Sequence, residues 1–305
     1  MAITLRESLR GLFYAPFYVA LAHELYAAEG VDVRFVSAPE TGTAATAILS
    51  GEVDVSWGGP MRVMQTYHQD RSCDLVSFAE VVTRDPFLLV GREPRPGFSP
   101  CDLAGVRLAS VCEVPTPWMC LQEDLRRAGV APGTIDRVSD RTMAENCAAL
   151  LGGTVDVVQL FEPFVSTLLA DHGCSVWYAQ ASRGPTSYTT FYARRGTLTA
   201  RRDELRRMVR AIYKAQRWVA GATGAAIGAA VSGFFPDVPP AILEAACARY
   251  KTLGIWGTDP ILPRAGYDRL LSSLVSGGFV NPGTPFSVAV DNGIAEAVVA
   301  EAVTR

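Results

Sequence analysis

Two well-separated stretches share one local pattern, and that pattern limits the possible folds of this chain more than any other feature. Ala47-Ile48-Leu49-Ser50-Gly51-Glu52-Val53-Asp54-Val55 is matched by Ala149-Leu150-Leu151-Gly152-Gly153-Thr154-Val155-Asp156-Val157. In both, an apolar helical segment stops at glycine, which supplies the positive φ that ends a helix. A short valine-rich run follows at once and suits a buried parallel strand. The match extends outward. Ile3-Thr4-Leu5 pairs with Val106-Arg107-Leu108, and each leads through a loop into a helix opened by proline. Tyr14-Ala15-Pro16-Phe17-Tyr18 introduces Val19 to Ala28, and Pro115-Thr116-Pro117-Trp118 introduces Met119 to Ala128, with Thr116 placed as N-cap and Pro117 as first helical residue. The unit is strand–helix–strand–helix–strand, written twice, as in α/β folds with largely parallel sheets.

A chain of 305 residues exceeds the usual span of a single core. Asp85-Pro86 and Pro94 to Pro100 separate the two units, and a second crossing falls at Arg183-Gly184-Pro185-Thr186-Ser187. The helices after Ala200 have no strands of their own and must pack on something already built, most simply the first lobe. The expected organisation is lobe I from 1–86 plus 188–305 and lobe II from 87–187. Hinge crossings are expected near 84–88 and 184–190, making a hinge rather than a tether.

Composition excludes several classes. A net charge of −3 leaves no electrostatic footprint for nucleic acid. The basic run 201–207 is broken by Asp203 and Glu204, and Leu205, Met208, Val209, Ile212 and Val219 follow at helical spacing, as on an amphipathic helix. The uncharged run after Trp218 is rich in Ala and Gly and reads as a helix pair, with no direct membrane insertion. Seven scattered cysteines form no metal pattern, and so many unpaired thiols suit a reducing compartment. Met1 to Leu5 already reads as strand. Two localisations follow: cytoplasmic if the chain is native as it stands, periplasmic if a leader has been removed.

In open α/β sheets, ligands bind beyond the carboxyl ends of the strands. Those ends are Ser8 to Tyr18, Pro39 to Ala44 and Ser56 to Arg62 in lobe I. In lobe II they are Ser110 to Trp118, Ser139 to Met143 and Gln159 to Pro163. Thr41-Gly42-Thr43 offers hydroxyls and amides for an oxyanion, or else a simple helix cap. Trp57-Gly58-Gly59-Pro60 sets an indole beside bare backbone where a planar ligand could lie, or else Trp57 fills the core. Tyr14, Trp118 and Tyr188 are candidate aromatic walls, and Thr116 is a candidate polar group on the lobe II side. Glu162 could accept from an amine, or cap the following helix. Arg62 and Arg84 could bind an anion or bridge the lobes. Cys112, beside Glu113 and near a helix start, is a candidate nucleophile with a lowered pKa, against the alternative of a small buried cysteine. His23, His68 and His172 fall away from strand ends. No P-loop, GxSxG or HExxH occurs, and neither cofactor nor metal is expected.

Ala15-Pro16-Phe17-Tyr18-Val19-Ala20 followed by Ala28-Glu29-Gly30-Val31-Asp32-Val33 resembles the opening of the nitrate/sulfonate/thiamine-precursor class of solute-binding proteins. Gly42-Thr43-Ala44, Leu49 to Val55, Asp102 to Leu108, Glu162-Pro163 and Phe235-Pro236-Asp237-Val238-Pro239 extend the resemblance over nearly the whole chain. It implies a two-lobed type II periplasmic-binding-protein fold, each lobe a mostly parallel sheet flanked by helices, with the ligand cleft between the lobes. It also implies capture of a small polar or anionic planar molecule, such as a pyrimidine thiamine precursor, aromatic carboxylate or sulfonate, by lobe closure. Delivery would be to an ABC permease. The same fold also hosts pyrimidine precursor synthases, whose cysteine-rich run and histidine are missing here, at Tyr188 to Tyr192 and at Pro60-Met61-Arg62. The alternative function is a cytosolic desulfinase, decarboxylase or lyase of a small aromatic acid, with Cys112 and Arg62 as its local support.

Overall fold

The computed structural model describes residues 2–37 and 42–303. Among them, ten strands form two five-stranded sheets. Strands β1 (Ile3–Glu7), β2 (Val33–Val36), β3 (Val55–Gly58), β4 (Leu75–Val82) and β10 (Thr189–Arg194) build lobe I in the order β2-β1-β3-β10-β4. Strands β5 (Leu88–Gly91), β6 (Arg107–Val111), β7 (Asp136–Arg141), β8 (Val157–Leu160) and β9 (Ser175–Ala179) build lobe II in the order β7-β6-β8-β5-β9. The repeated motif supplies the three parallel strands of each sheet: β1 pairs in parallel with β2 and β3, and β6 with β7 and β8. The fourth strand of each sheet, β10 or β5, is antiparallel to its neighbours on both sides.

The two chain crossings lie side by side. Thr186 N donates to Thr83 O at 2.8 Å, Tyr188 N to Val82 O at 2.9 Å, and Gln180 N to Phe87 O at 3.0 Å. Buried Arg183 ties them further. Its Nη1 is 2.5 Å from Asp85 Oδ2 in the other crossing, and its Nε is 3.0 Å from Asp124 Oδ1 on the helix Thr116–Arg127.

The helix Arg202–Gly221 buries Leu205, Met208, Val209, Ile212 and Val219, the stripe read from the sequence, and packs on Ala15–Ala22 and β4 of lobe I. The uncharged run beyond Trp218 divides into the end of this helix and a second one, Gly224–Val231. Among the described residues, no helix is long and apolar enough to cross a membrane. The later helices depart from the simplest expectation because they serve both lobes. Pro240–Leu253 packs on Gly224–Val231 of lobe I and also on Phe164–His172 of lobe II. Arg264–Ser276 packs on Thr116–Arg127, and Cys120 of that lobe II helix shares a core cluster with Tyr267, Leu270 and Leu274. Their apolar faces are broad enough to cover two surfaces, so burial is maximised in the groove between lobes.

Candidate functional site

A small cavity, partly open to solvent, lies where strand-end loops of the two lobes meet. Lobe I contributes Ser8, Leu9, Phe13, Tyr14, Gly42, Gly59, Met61, Arg62 and Tyr188, and the lobe II side contributes Phe87, Val114 and Thr116. Most of the wall is apolar or aromatic. Phe13 and Phe87 pack edge-on against Phe161 at 5.2 and 5.3 Å, Phe13 reaching it across the lobes, and Tyr188 meets both Phe13 and Phe87. Among the described lining residues, Arg62 is the one with a charged side chain. Its Nη1 reaches Gln65 Oε1 at 3.3 Å, and among the described residues it forms no ion pair.

The expected residues divide between this wall and other places. Tyr14, Gly42, Gly59, Arg62, Thr116 and Tyr188 line it. Tyr14 and Tyr188 are buried, which pushes both phenols well above their usual range, so they offer neutral O–H groups at any physiological pH. Tyr188 Oη has no hydrogen-bond partner among the described residues. Gly42 has φ +85°, a conformation that favours glycine, and its missing side chain leaves room for the Arg62 guanidinium. Thr116 is buried as the first residue of its helix rather than its cap, a role that falls to Pro115. Thr41 lies outside the described residues. Thr43 precedes the helix Ala44–Leu49 without capping it through its side chain, and its Oγ1 accepts from Arg6 Nη2 at 2.6 Å.

The remaining candidates are corrected by geometry. Trp57 is fully buried away from the cavity, stacked between Phe17 at 4.7 Å and Phe35 at 5.4 Å. Strand alternation turns its side chain toward the Ala15–Ala22 helix, which makes it core. Gly58 is bare because a Cβ there would stand 2.3 Å from Ser8 Oγ, so its need is packing within lobe I rather than access for a ligand. Trp118 faces Arg137 of lobe II, whose guanidinium carbon lies 4.2 Å from its ring centroid. Arg84 bridges the crossings by donating to Ala181 O at 3.3 Å.

Glu162 is buried outside the wall and does cap a helix, accepting from Ser166 N at 2.8 Å. It also accepts from Arg249 Nε at 2.8 Å, while its own N–H donates to Tyr250 Oη at 2.8 Å. Both partners sit on the lobe I helix Pro240–Leu253, so this carboxylate joins the lobes. Burial pushes its carboxyl up, against the pull of Ser166 and Arg249. Cys112 meets neither expectation. It is exposed, and desolvation together with the Glu113 carboxylate pushes the thiol up rather than down.

The reading from sequence missed Arg6 and the apolar wall of Leu9, Phe13, Met61, Phe87 and Val114. Arg6 had a signal: an arginine inside a strand, Ile3-Thr4-Leu5-Arg6-Glu7, all of whose residues are buried. The apolar positions had none, since core and wall residues look alike in composition.

The model of the family described as NMT1/THI5 like matches residues 13–222. A Bacillus subtilis (strain 168) protein, "Putative binding protein YtlA", is 29% identical over 304 residues, covering 98% of this chain and 90% of that protein. The periplasmic aliphatic sulphonate binding protein SsuA of Escherichia coli superposes with a TM-score of 0.75 at 16% identity, over 92% of this chain and 94% of that one. The desulfurization enzyme DszB superposes with a TM-score of 0.71 at 13% identity, over 98% and 99%. At such identities the two solved structures share the fold with this chain.

Proposed function

The chain belongs to the NMT1/THI5-like family, and from that premise we propose that it is a solute-binding protein for a small anionic organic molecule. Lobe closure captures the ligand, and an ABC permease receives it, with the protein working on the outer face of that membrane. Residues 1–86 plus 188–305 and residues 87–187 are the two closing units, turning about the crossings that Arg183 ties together.

The observation that carries this reading is Arg62, a cation that forms no ion pair among the described residues, in the wall of a largely apolar cavity shared by both lobes. A guanidinium presents forked donors that match carboxylate or sulfonate oxygens. Leu9, Phe13, Met61, Phe87 and Val114 supply apolar surface for an organic body, and Tyr14, Tyr188 and Thr116 supply neutral polar groups to orient it. Aromatic carboxylates and sulfonates fit this division into one charged end and one flat apolar end. Cys112 lends the enzyme alternative no support, being exposed, protonated at neutral pH and outside the wall.

Thermal shift with a panel of aromatic carboxylates, sulfonates and aminopyrimidines tests the reading, because a ligand that binds the native state raises its melting temperature by mass action. An anionic member is expected to stabilise the protein, and Arg62→Met to weaken its binding by about tenfold or more (~1.4 kcal/mol). If no anion shifts the melting temperature, or if Arg62→Met binds as the parent does, the reading is wrong.

A further inference from the structure

Arg62 has a cationic neighbour. Arg6 lies on β1, where Ile3 and Leu5 belong to the core on one face while Thr4 and Arg6 meet side chains on the other. Arg6 is only 5% exposed. One nitrogen donates to Thr43, and its Nε has no partner. Among the described residues no carboxylate pairs with it. The adjacent Glu7 points to the opposite face, where Arg10 and the Tyr18 hydroxyl hold it at 2.7 Å each. The contrast with Arg183 is direct: that guanidinium is equally buried and has two carboxylates. A buried charge left without a counter-ion is costly, and such groups are ordinarily paired.

Arg6 and Arg62 approach one short segment from two sides. Arg6 holds Thr43, and Arg62 Nη2 stands 3.5 Å from the Cβ position of Gly42, the residue before it. Both also act on Tyr192, a fully buried residue of β10: burial pushes its phenol up, while the neighbouring Ser56 and Ser8 hydroxyls, and then the charges of Arg62 and Arg6, pull it down. This corner of lobe I therefore holds two positive charges with no described carboxylate to balance them.

We propose that the lobe I end of the cavity is a doubly cationic subsite, with Arg62 and Gly42 in the wall and buried Arg6 behind them on Thr43, that selects a dianionic oxyanion group over a monoanion. A single negative charge neutralises one guanidinium and leaves the other uncompensated in a poorly solvated site. A dianion held by Arg62 compensates both, the second through the field of Arg6 behind the wall. The proposal rests on the anionic-ligand reading of the same cavity, but it does not depend on the organic body of the ligand. Free sulfate or phosphate and a phosphonate or phosphate ester share the chemistry.

Inorganic sulfate and nitrate are the probes, titrated calorimetrically into the full chain at one pH and one ionic strength. Sulfate is expected to bind about tenfold tighter than nitrate or better. Arg6→Gln is expected to remove that preference, bringing the two within about threefold. Arg6→Lys keeps the charge and should retain the preference. This variant serves if Arg6→Gln does not fold: Arg6→Lys without the preference then refutes the subsite. Equal sulfate and nitrate binding by the parent, absence of sulfate binding, or an undiminished preference in folded Arg6→Gln would also overturn it. Sulfate preference without binding of any organic anion would sink the solute reading and leave this one. Binding of organic anions with no sulfate preference would do the reverse.

Discussion

The two lobes are built on one plan and treat buried charge in opposite ways. Their sheets run β2-β1-β3-β10-β4 and β7-β6-β8-β5-β9, and in each the antiparallel strand is the one laid down as the chain arrives from the other lobe. Yet lobe I, which pairs buried Glu7 with Arg10, leaves Arg6 and Glu80 in its interior without a counter-ion among the described residues. In lobe II and the crossings, Asp85, Asp124 and Glu162 are each met by a guanidinium. Two of those guanidinium contacts reach beyond lobe II itself: Arg183 joins the crossings, and Arg249 comes from a lobe I helix. Charge in lobe II thus holds the protein together, while in lobe I Arg6 and Arg62 form no ion pair among the described residues, as the proposed anion site requires. One backbone plan accommodates both because the strands set positions, while the residues on them decide whether a buried charge is compensated within the protein.

The largest expected effect tests the paired side of this contrast. Arg183→Met strands Asp85 and Asp124 and is expected to cost ~3–5 kcal/mol in urea unfolding; a loss below about 1 kcal/mol would mean that the tie between the crossings is dispensable. Trp57→Ala follows, with an expected loss of ~3–5 kcal/mol because it empties the stack between Phe17 and Phe35. Half-buried Trp118, lying against Arg137 in lobe II, should cost only about 1 kcal/mol on the same change. Similar losses at the two tryptophans would erase the distinction drawn between them.

Glu80 probes the unpaired side. Desolvation raises its carboxyl from the ordinary value of 4.5 to about 8. The folded state therefore binds a proton that the unfolded state has released, and stability falls as pH rises from about 4.5 through about 8. The contribution of this group approaches ~1.4 kcal/mol per pH unit inside that window. Glu80→Gln should flatten the dependence in urea unfolding between those limits, and an unchanged slope would show that the carboxyl is charged in the fold. The smallest effect is expected at Arg249. It is 28% exposed at the side chain, so solvent screens its bond to Glu162, and Arg249→Met should cost about 1 kcal/mol. Scattering should report a larger radius of gyration if the contact holds the lobes together, and an identical radius would remove it from the account of closure.

Much of the architecture was legible because it is local. Gly51 and Gly153 both take positive φ after a helix, and the valines that follow enter β3 and β8. The strand-end rule led to the loops that meet at the cavity, and Tyr14, Gly59, Arg62 and Thr116 can be found in that way. It could not choose between adjacent residues. Trp57 and Gly59 are two positions apart, yet one is core and the other is wall, because β3 ends at Gly58 and the chain has left the strand at Gly59, while Trp57 inside it stacks on Phe17 and Phe35. Arg6 went unnoticed because the alternation of its strand shows that it faces away from Leu5 but not what it faces.

The sequence by itself determined the repeated strand–helix unit, the helix stops, the amphipathic stripe of Arg202–Gly221 and the two crossings. Each depends on backbone preference or on burial periodicity within a few residues. Tertiary structure alone decided that Glu162 meets Arg249, that Arg183 joins Asp85 to Asp124, and that Arg6 and Arg62 close on Gly42 and Thr43 with no described carboxylate between them. Those outcomes depend on distances between residues far apart in the chain. Charge interactions vary steeply with such distances and with burial, and neither is fixed until the lobes have packed.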